Sequence, residues 1–348
     1  MQINRKNFYG FVGAEREVRG FSGIAFLNLS GGKLFQLRDI LMKNFSGGRN
    51  PDWPEYMSRT ADLRADPLKL FPWAKSLAIF AFPFNRIPVN DCFLPQTDDG
   101  ELSGLVAGYA GRMDYHVFLR DNLYVFSESL KKFLGRDFRS EVSVDTRPLA
   151  EKPLAAFSGL GVIGLNSCLL CKGEGSGTCL GVLAMDIELP ESDTVDFAAP
   201  CSACGKCVEM CPTGAITGEP GEFIYKKCRS YLTMERKGVL EKDDRKSLGE
   251  WIFGCDICTS LCPESRIPPP LKADLEWLLL EDDSVVSGII RNSAPAYPGM
   301  KLLRRNAVCV LGNKPSARGK SILAKFAASA NDEMLKVMSD VVLKELNI

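Results

Sequence analysis

Histidine is nearly missing from this chain of 348 residues: there is one, His116. A single imidazole cannot build the multi-histidine sites of mononuclear zinc or non-haem iron enzymes, which argues against that chemistry. An excess of either charge is missing too. Lys plus Arg and Asp plus Glu are 43 each, for a formal net charge of zero, so nothing global advertises a nucleic acid or a membrane, and any basic surface must be local. Long apolar runs are also lacking. The most apolar stretch, residues 76–84, has the length of a strand, well short of a membrane span. Residues 1–30 contain neither an apolar core of signal-peptide length nor a twin-arginine leader, so the chain reads as cytoplasmic with no membrane partner. The Asn-x-Ser sites at Asn28 and Asn44 then carry no meaning.

What is present, at 45% hydrophobic and 25% charged residues, is enough apolar material for one large domain or two ordinary ones. In residues 1–200, strand-like runs (23–29, 77–84, 141–144, 180–187) alternate with helix-like ones (34–43, 115–134, 149–157). This predicts an α/β or α+β domain. Residues 201–266 crowd cysteines together and break long helices at Thr213-Gly214 and at 218–221, as a small cluster-binding module does. Pro268, Pro269 and Pro270 make a stiff spacer, and the apolar spacing within 267–348 predicts about two helical hairpins.

Cysteine is the outlier, with thirteen in a long chain without secretion signals. In a reducing compartment that favours metal or redox chemistry over disulfides. Cys201, Cys204, Cys207 and Cys211, followed by Pro212, have the C-x2-C-x2-C-x3-C-P spacing of bacterial ferredoxins, in which the fourth cysteine serves the other cluster. Cys255, Cys258 and Cys262 with Pro263 repeat the later part of that pattern, and Cys228 upstream substitutes for the missing first cysteine. The crossing rule assigns Cys201, Cys204, Cys207 and Cys262 to one 4Fe-4S cluster and Cys211, Cys228, Cys255 and Cys258 to the other. Paired zinc ribbons would use C-x2-C knuckles too, but they leave the third cysteine and trailing proline of each half unexplained. Cys92, Cys168, Cys171, Cys179 and Cys309 read as ordinary thiols.

Around the cysteines, CRSYLTMERKG (228–238) and IFGCDICTSLCP (252–263) resemble the epoxyqueuosine reductase family, cobalamin-dependent iron–sulfur enzymes of tRNA modification. Upstream, LRADPLKLFPWAKSLAIFAFPF resembles that family's stretch leading into its first core strand. GRMDYH resembles its Asp-Tyr-His segment, and VDTRPLAEKPLAAFSGLGVIGLN its Asp-Ser/Thr block followed by a glycine-rich run. KLLRRNAVCVLGN is similar to the family's HEAT-like helical ending, here short. Arg147 stands where the family usually has a small residue, and Leu165 where it has Lys.

The resemblance implies three parts: an α/β cobalamin-binding domain over 1–200, a ferredoxin-like module with two 4Fe-4S clusters over 201–266, and a short HEAT-like region over 267–348. It implies a corrinoid between the first two, fed with electrons by Cys-ligated cubanes of suitably low potential. It makes Asp145 the proton donor to the epoxide oxygen, a carboxyl that shielding beside an apolar corrin would raise. The plainer alternative is a helix cap near Leu149. Arg64, Ser230, Cys255 and Asp256, together with Asp145, fall at cobalamin contacts, as do Ala107, Leu169 and Leu180, which suit a core equally well. The cluster of Cys228 and Cys255 is then the one nearer cobalt. Lys226, Lys227, Arg229, Arg236 and Lys237 form a local basic patch, either a solvated face or a tRNA contact, with Lys237 and Arg236 foremost. The expected partners are a queuosine-type tRNA and a low-potential electron donor, with the chain a monomer.

Two motifs are set aside. Gly159-x-Gly161-x-x-Gly164 spells a dinucleotide fingerprint, but a helix-like stretch precedes it and a strand-like one follows, the reverse of the required order. Asp114-x-His116 imitates a cobalt-ligating motif, but Leu119 replaces the required glycine, so Asp114 and His116 read as a polar pair. Two other functions fit the residues: a small-molecule, dehalogenase-like reductase with the same cofactors, and an electron-transfer module with no corrinoid.

Overall fold

The computed structural model describes residues 3–30, 36–39, 41, 53–91, 93–192, 201–222 and 224–347. Its strands are β1 (Gly23–Asn28), β2 (Ser76–Pro83), β3 (Ser103–Val106), β4 (Ser140–Ser143), β5 (Gly161–Ile163), β6 (Leu169–Cys171), β7 (Thr178–Met185), β8 (Trp251–Phe253) and β9 (Leu271–Asp274). The longer helices, with two short ones that carry site residues, are α1 (Arg5–Arg19), α2 (Tyr115–Leu134), α3 (Glu151–Phe157), α4 (Arg229–Met234), α5 (Leu275–Leu280), α6 (Asp283–Ile290), α7 (Gly299–Asn313), α8 (Ala317–Ser329) and α9 (Glu333–Glu345). Of the helix expected over 34–43, residues 36–39 and 41 are described and are helical; its remaining residues, like Cys92, Asn44 and the boundary at Pro200, lie outside the described residues.

Every residue of β2 is buried because both faces of its sheet are covered. Leu77, Ile79 and Ala81 enter one core, and Ala78, Phe80 and Phe82 the other, the two-residue period of a strand. The first core is closed by Leu154 and Ala155 of α3, and the second by Phe8 and Val12 of α1 with Leu119, Leu123, Phe126 and Leu130 of α2. The strand order is β1-β2-β7-β4 and every neighbouring pair is antiparallel. Of the two expected classes the sheet is therefore α+β: helices follow strands in the chain without forming parallel crossovers.

Helix α2 occupies the expected span, with Asp114 accepting the His116 amide at its start and Gly135 in the left-handed conformation at its end. The glycine-rich run forms the β5/β6 hairpin. A Cβ on Gly161 would lie 2.5 Å from the Leu170 carbonyl oxygen, so glycine is needed there for close backbone approach in a hairpin, not for a dinucleotide.

A second sheet, β8-β3-β9, takes one strand from each of the three compositional segments. One core joins them, from Leu102 and Val106 through Trp251, Ile252 and Phe253 to Leu303, Val308 and Val342. Residues 201–266 enter this shared core through Leu232, Leu240, Leu248 and β8. Beyond them, Asp274, Asp282, Ser316 and Asp332 cap α5, α6, α8 and α9.

Helix α7 is buried along nearly its whole length, polar side chains included. Arg305, 0% exposed, donates to the carbonyls of Leu232 (2.8 Å), Gly238 (3.1 Å) and Arg236, while Asn306 donates to those of Thr233 and Ile252, both at 2.8 Å. The helical tail thus clamps α4, the loop after it and β8. Arg305→Ala should lower the unfolding free energy by about 3 kcal/mol or more, because each buried acceptor left without a donor costs about 1–3 kcal/mol; the midpoint of urea unfolding measures this.

Candidate active site and cluster cradle

The cysteines fall into two spatial groups. Cys201, Cys204, Cys207 and Cys262 line one cavity, with Leu165, Asn166 and Leu170 from the β5/β6 region behind them. Cys211, Cys228, Cys255 and Cys258 make the other. Burial pushes the Cys258 thiol well up, and charge at Cys168, Cys255, Cys228 and Cys211 adds to it; such influence falls off with distance, so these thiols are close neighbours. Burial likewise raises Cys255 to about 11, and Arg229 opposes the shift. At Cys211 burial acts in the same direction, but hydrogen bonds from Thr213, Ile216 and Ala215 outweigh it and hold the thiol below its ordinary value. Soft donors gathered in fours suit iron–sulfur cubanes, whose assembly displaces thiol protons. Among the described residues, no three His, Cys, Asp or Glu side chains gather as a single-ion site.

Cys168 belongs with the second group, although its sequence context gives it no role. Cys171, Cys179 and Cys309 are buried thiols. Asn166 ties the hairpin to this region, donating to the Cys258 carbonyl at 3.4 Å while accepting the Cys168 amide at 3.1 Å.

Beside Cys255, Asp256 is 7% exposed and accepts the Gly108 amide at 2.7 Å. Burial raises its carboxyl to about 6, with that hydrogen bond opposing. An aromatic wall leads away from it. Phe253 contacts Tyr109 (ring centroids 6.0 Å apart), Tyr109 contacts Tyr115 (6.2 Å), and Phe84 touches both tyrosines (5.3 and 5.8 Å). At its far end the Tyr115 hydroxyl donates to Asp145 Oδ2 at 3.1 Å. His116, stacked on Tyr115, has Nε2 4.0 Å from the same oxygen and Nδ1 2.7 Å from Asp114 Oδ1. The wall thus connects the region of the second cysteine group to Asp145.

Asp145 has φ +50°, unusual for a non-glycine residue. It caps no helix: α3 begins at Glu151, and its cap position, Ala150, makes no side-chain cap bond. Its side chain is 70% exposed, so the shielding expected at Asp145 does not come from the protein. The neighbouring carboxyl of Glu151 is pushed to about 8 by burial and then by the charge of Asp145, with Arg64 opposing. Glu151 Oε1 accepts the Asp145 amide at 2.9 Å. No local spacing marks this pairing, and the sequence reading missed it. Arg147 pairs with Glu141, which occupies its charge away from Asp145.

The other expected contacts divide by exposure. Ala107, Leu169 and Leu180 are 0%, 4% and 9% exposed and belong to the cores. Arg64 and Ser230 are half-buried: Arg64 bonds Thr60 at 3.0 Å and lies over the Tyr56 ring, and Ser230 contacts the Met234 sulfur. Around the rim, Tyr56 donates to Glu235 at 2.9 Å and Tyr225 donates to the same carboxylate. Desolvation of its hydroxyl, then the charges of Glu235 and Asp145, raises the phenol of Tyr297, which is otherwise exposed. Of the basic patch, Arg236 and Lys237 are exposed on the loop that Arg305 fixes. Arg229 is not part of that surface; it donates to the Ser247 carbonyl at 2.6 Å.

Residues 200–265 match the 4Fe-4S double cluster binding domain, and residues 64–146 match the family described as Epoxyqueuosine reductase QueG, DUF1730. The chain is 37% identical over 293 residues to the epoxyqueuosine reductase of Escherichia coli K12, covering 80% of this chain and 74% of that one. The chain belongs to the epoxyqueuosine reductase family. It is accordingly an oxidoreductase with an iron–sulfur cluster domain. Epoxyqueuosine reductase from Streptococcus thermophilus has the same fold, with a TM-score of 0.79 at 24% identity, covering 98% of this chain and 90% of that one. So does an epoxyqueuosine reductase crystallised with an epoxyqueuosine-modified tRNA-Tyr stem loop, with a TM-score of 0.75 at 22% identity and 99% of both chains covered. Among the described residues, no helix is long and apolar enough to cross a membrane.

Proposed function

We propose that the chain converts epoxyqueuosine to queuosine in the anticodon loop of a tRNA, using cobalamin and two 4Fe-4S clusters. The overall change takes up two electrons and two protons, breaks both carbon–oxygen bonds of the epoxide, forms the alkene and releases the oxygen as water. Asp145 carries the reading: its carboxylate is held by Tyr115 at the end of an aromatic wall that starts beside Cys255.

Cys201, Cys204, Cys207 and Cys262 would hold one cluster, and Cys211, Cys228, Cys255 and Cys258 the other, nearer the corrinoid. Arg64 and Ser230 offer reachable polar atoms for corrin amides or phosphate. Ala107 shares a core with Tyr109 and Phe253 of the wall, Leu169 and Leu180 lie in the neighbouring core of the first sheet, and Asp256 fixes the turn at Gly108. When bound, a corrinoid supplies carbon-centred redox chemistry, and the clusters supply low-potential electrons. Asp145 delivers a proton to the departing epoxide oxygen, and Tyr115 with His116 orients its carboxyl. A monomeric, cytoplasmic enzyme with a HEAT-like helical tail and a low-potential electron donor fits this reading.

Two measurements test it. Reconstituted protein passed through gel filtration with hydroxocobalamin should retain about one cobalt per chain, one corrinoid filling one site; no retained cobalt would leave an electron-transfer protein. Reversing charge with Arg236→Glu plus Lys237→Glu should weaken binding of the tRNA stem loop at every salt concentration, and should reduce the slope of log K against log salt by about 2, one for each lost phosphate contact. An unchanged slope would mean that the patch is only a solvated face.

A further inference from the structure

Asp145 is held through its backbone as well as its carboxylate. Val144 before it is buried in one core of the first sheet and Leu149 after it in the other. Residues 145–148 therefore form a short bridge between two fixed points, exposed from Asp145 to Arg147 and partly buried at Pro148. Within it, Asp145 takes a left-handed backbone conformation, φ +50°, which aspartate adopts more readily than most residues with a side chain, helped by local hydrogen bonds. The same residue is hydrogen-bonded through its backbone: the Asp145 amide donates to Glu151 Oε1 at 2.9 Å, and the Ser143 hydroxyl reaches the same oxygen at 3.4 Å. Glu151 opens α3, whose Leu154 and Ala155 are 0% exposed, so this acceptor is anchored to the core and not to the loop it restrains.

We infer that Glu151 is a latch: by capturing the Asp145 amide it holds the bridge in the turn that aims the Asp145 carboxylate at Tyr115. Glu151 is thus a positioning residue for the proton donor, and this catalytic consequence rests on the role proposed for Asp145. The latch itself rests only on the geometry. A neutral carboxyl or an amide in place of the carboxylate still presents an acceptor oxygen, so the latch depends on that oxygen's position and not on charge. Arg64 faces Glu151 as well, but it approaches as a charge and takes no part in the bond to Asp145.

Hydrogen–deuterium exchange on the cluster-reconstituted protein, read on a peptide covering residues 144–150, separates the possibilities. In Glu151→Ala, exchange at this peptide should quicken by about tenfold or more while α3 and the sheet keep their protection. Glu151→Gln should stay within about twofold of the parent, since its amide oxygen accepts the same N–H. With the tRNA stem loop as substrate, Glu151→Ala should lower kcat at unchanged KM, and Glu151→Gln should restore it. If Glu151→Ala fails to fold, Glu151→Asp, which withdraws the oxygen by one methylene, should loosen the peptide in the same way. Unchanged exchange in the alanine or aspartate variant, or an equal loss in glutamine and alanine variants, would overturn the latch. If the parent protein leaves the tRNA unconverted, the proposed function fails while the exchange result still decides the latch.

Discussion

Replacing Asp145 by Asn should lower turnover by about 100- to 10,000-fold, the usual contribution of a positioned general acid, while iron content, cobalamin binding and tRNA affinity stay the same. The substitution is a clean probe. Asparagine tolerates left-handed backbone almost as well as aspartate, so the +50° φ and the amide bond to Glu151 are kept. Its amide oxygen still accepts from Tyr115, and only the ability to give up a carboxyl proton is lost. Single-turnover rates under strongly reducing conditions measure this directly, because they separate the chemical step from electron supply. A turnover within a few-fold of the parent would move the proton's source to Tyr115 or His116, both of which already touch or approach Asp145 Oδ2.

Replacing Cys258 by Ala should remove about four of eight irons after anaerobic reconstitution, and abolish turnover, because a cubane needs four thiolates. The thiols whose charge reaches Cys258 include Cys168 as well as Cys211, Cys228 and Cys255, one thiol more than a cubane takes. The ferredoxin spacing assigns Cys168 no ligand, and Cys168→Ser should therefore keep about eight irons. Iron and sulfide analysis of the two variants side by side, with the electron paramagnetic resonance signal of the reduced protein, distinguishes them. Iron lost from Cys168→Ser and retained in Cys258→Ala would exchange their roles.

Local patterns carried much of this structure. The apolar run of β2 and the helix-like run from Tyr115 to Leu134 belong to one element each, and both have the expected extent within a residue or two. The two cysteine groups were legible for a related reason: the spacing within each half is fixed by how a short loop wraps a cubane. What stayed hidden depends on partners distant in the chain. The antiparallel order of the first sheet and the joining of β3, β8 and β9 into a second follow from connections that no window of sequence displays. Arg305 and Asn306 look like surface residues of a helix until the carbonyls of Leu232, Arg236, Gly238, Thr233 and Ile252 are placed around them. Arg229 looks like part of a basic patch, yet it is committed to Ser247.

The candidate site shows the same division. Asp145 could be singled out through a resemblance spread over several blocks, but the residues that control it could not. Tyr115 and His116 were noticed as a motif and given no target, and Glu151 went unremarked within the helix-like run 149–157. The shielding expected at Asp145 is that of a bound corrin, and the protein itself leaves this side chain exposed, whereas its own burial acts on Glu151, six positions on.

The central claim is best tested by incubating the anaerobically reconstituted protein, supplied with cobalamin and a chemical reductant, with an epoxyqueuosine-containing tRNA stem loop, and digesting the RNA for mass spectrometry of its nucleosides. The account predicts that epoxyqueuosine disappears and queuosine, lighter by one oxygen atom, appears in equal amount, and that omitting either cobalamin or reductant stops the conversion. Protein that holds its iron and its cobalamin yet leaves epoxyqueuosine intact would contradict the account.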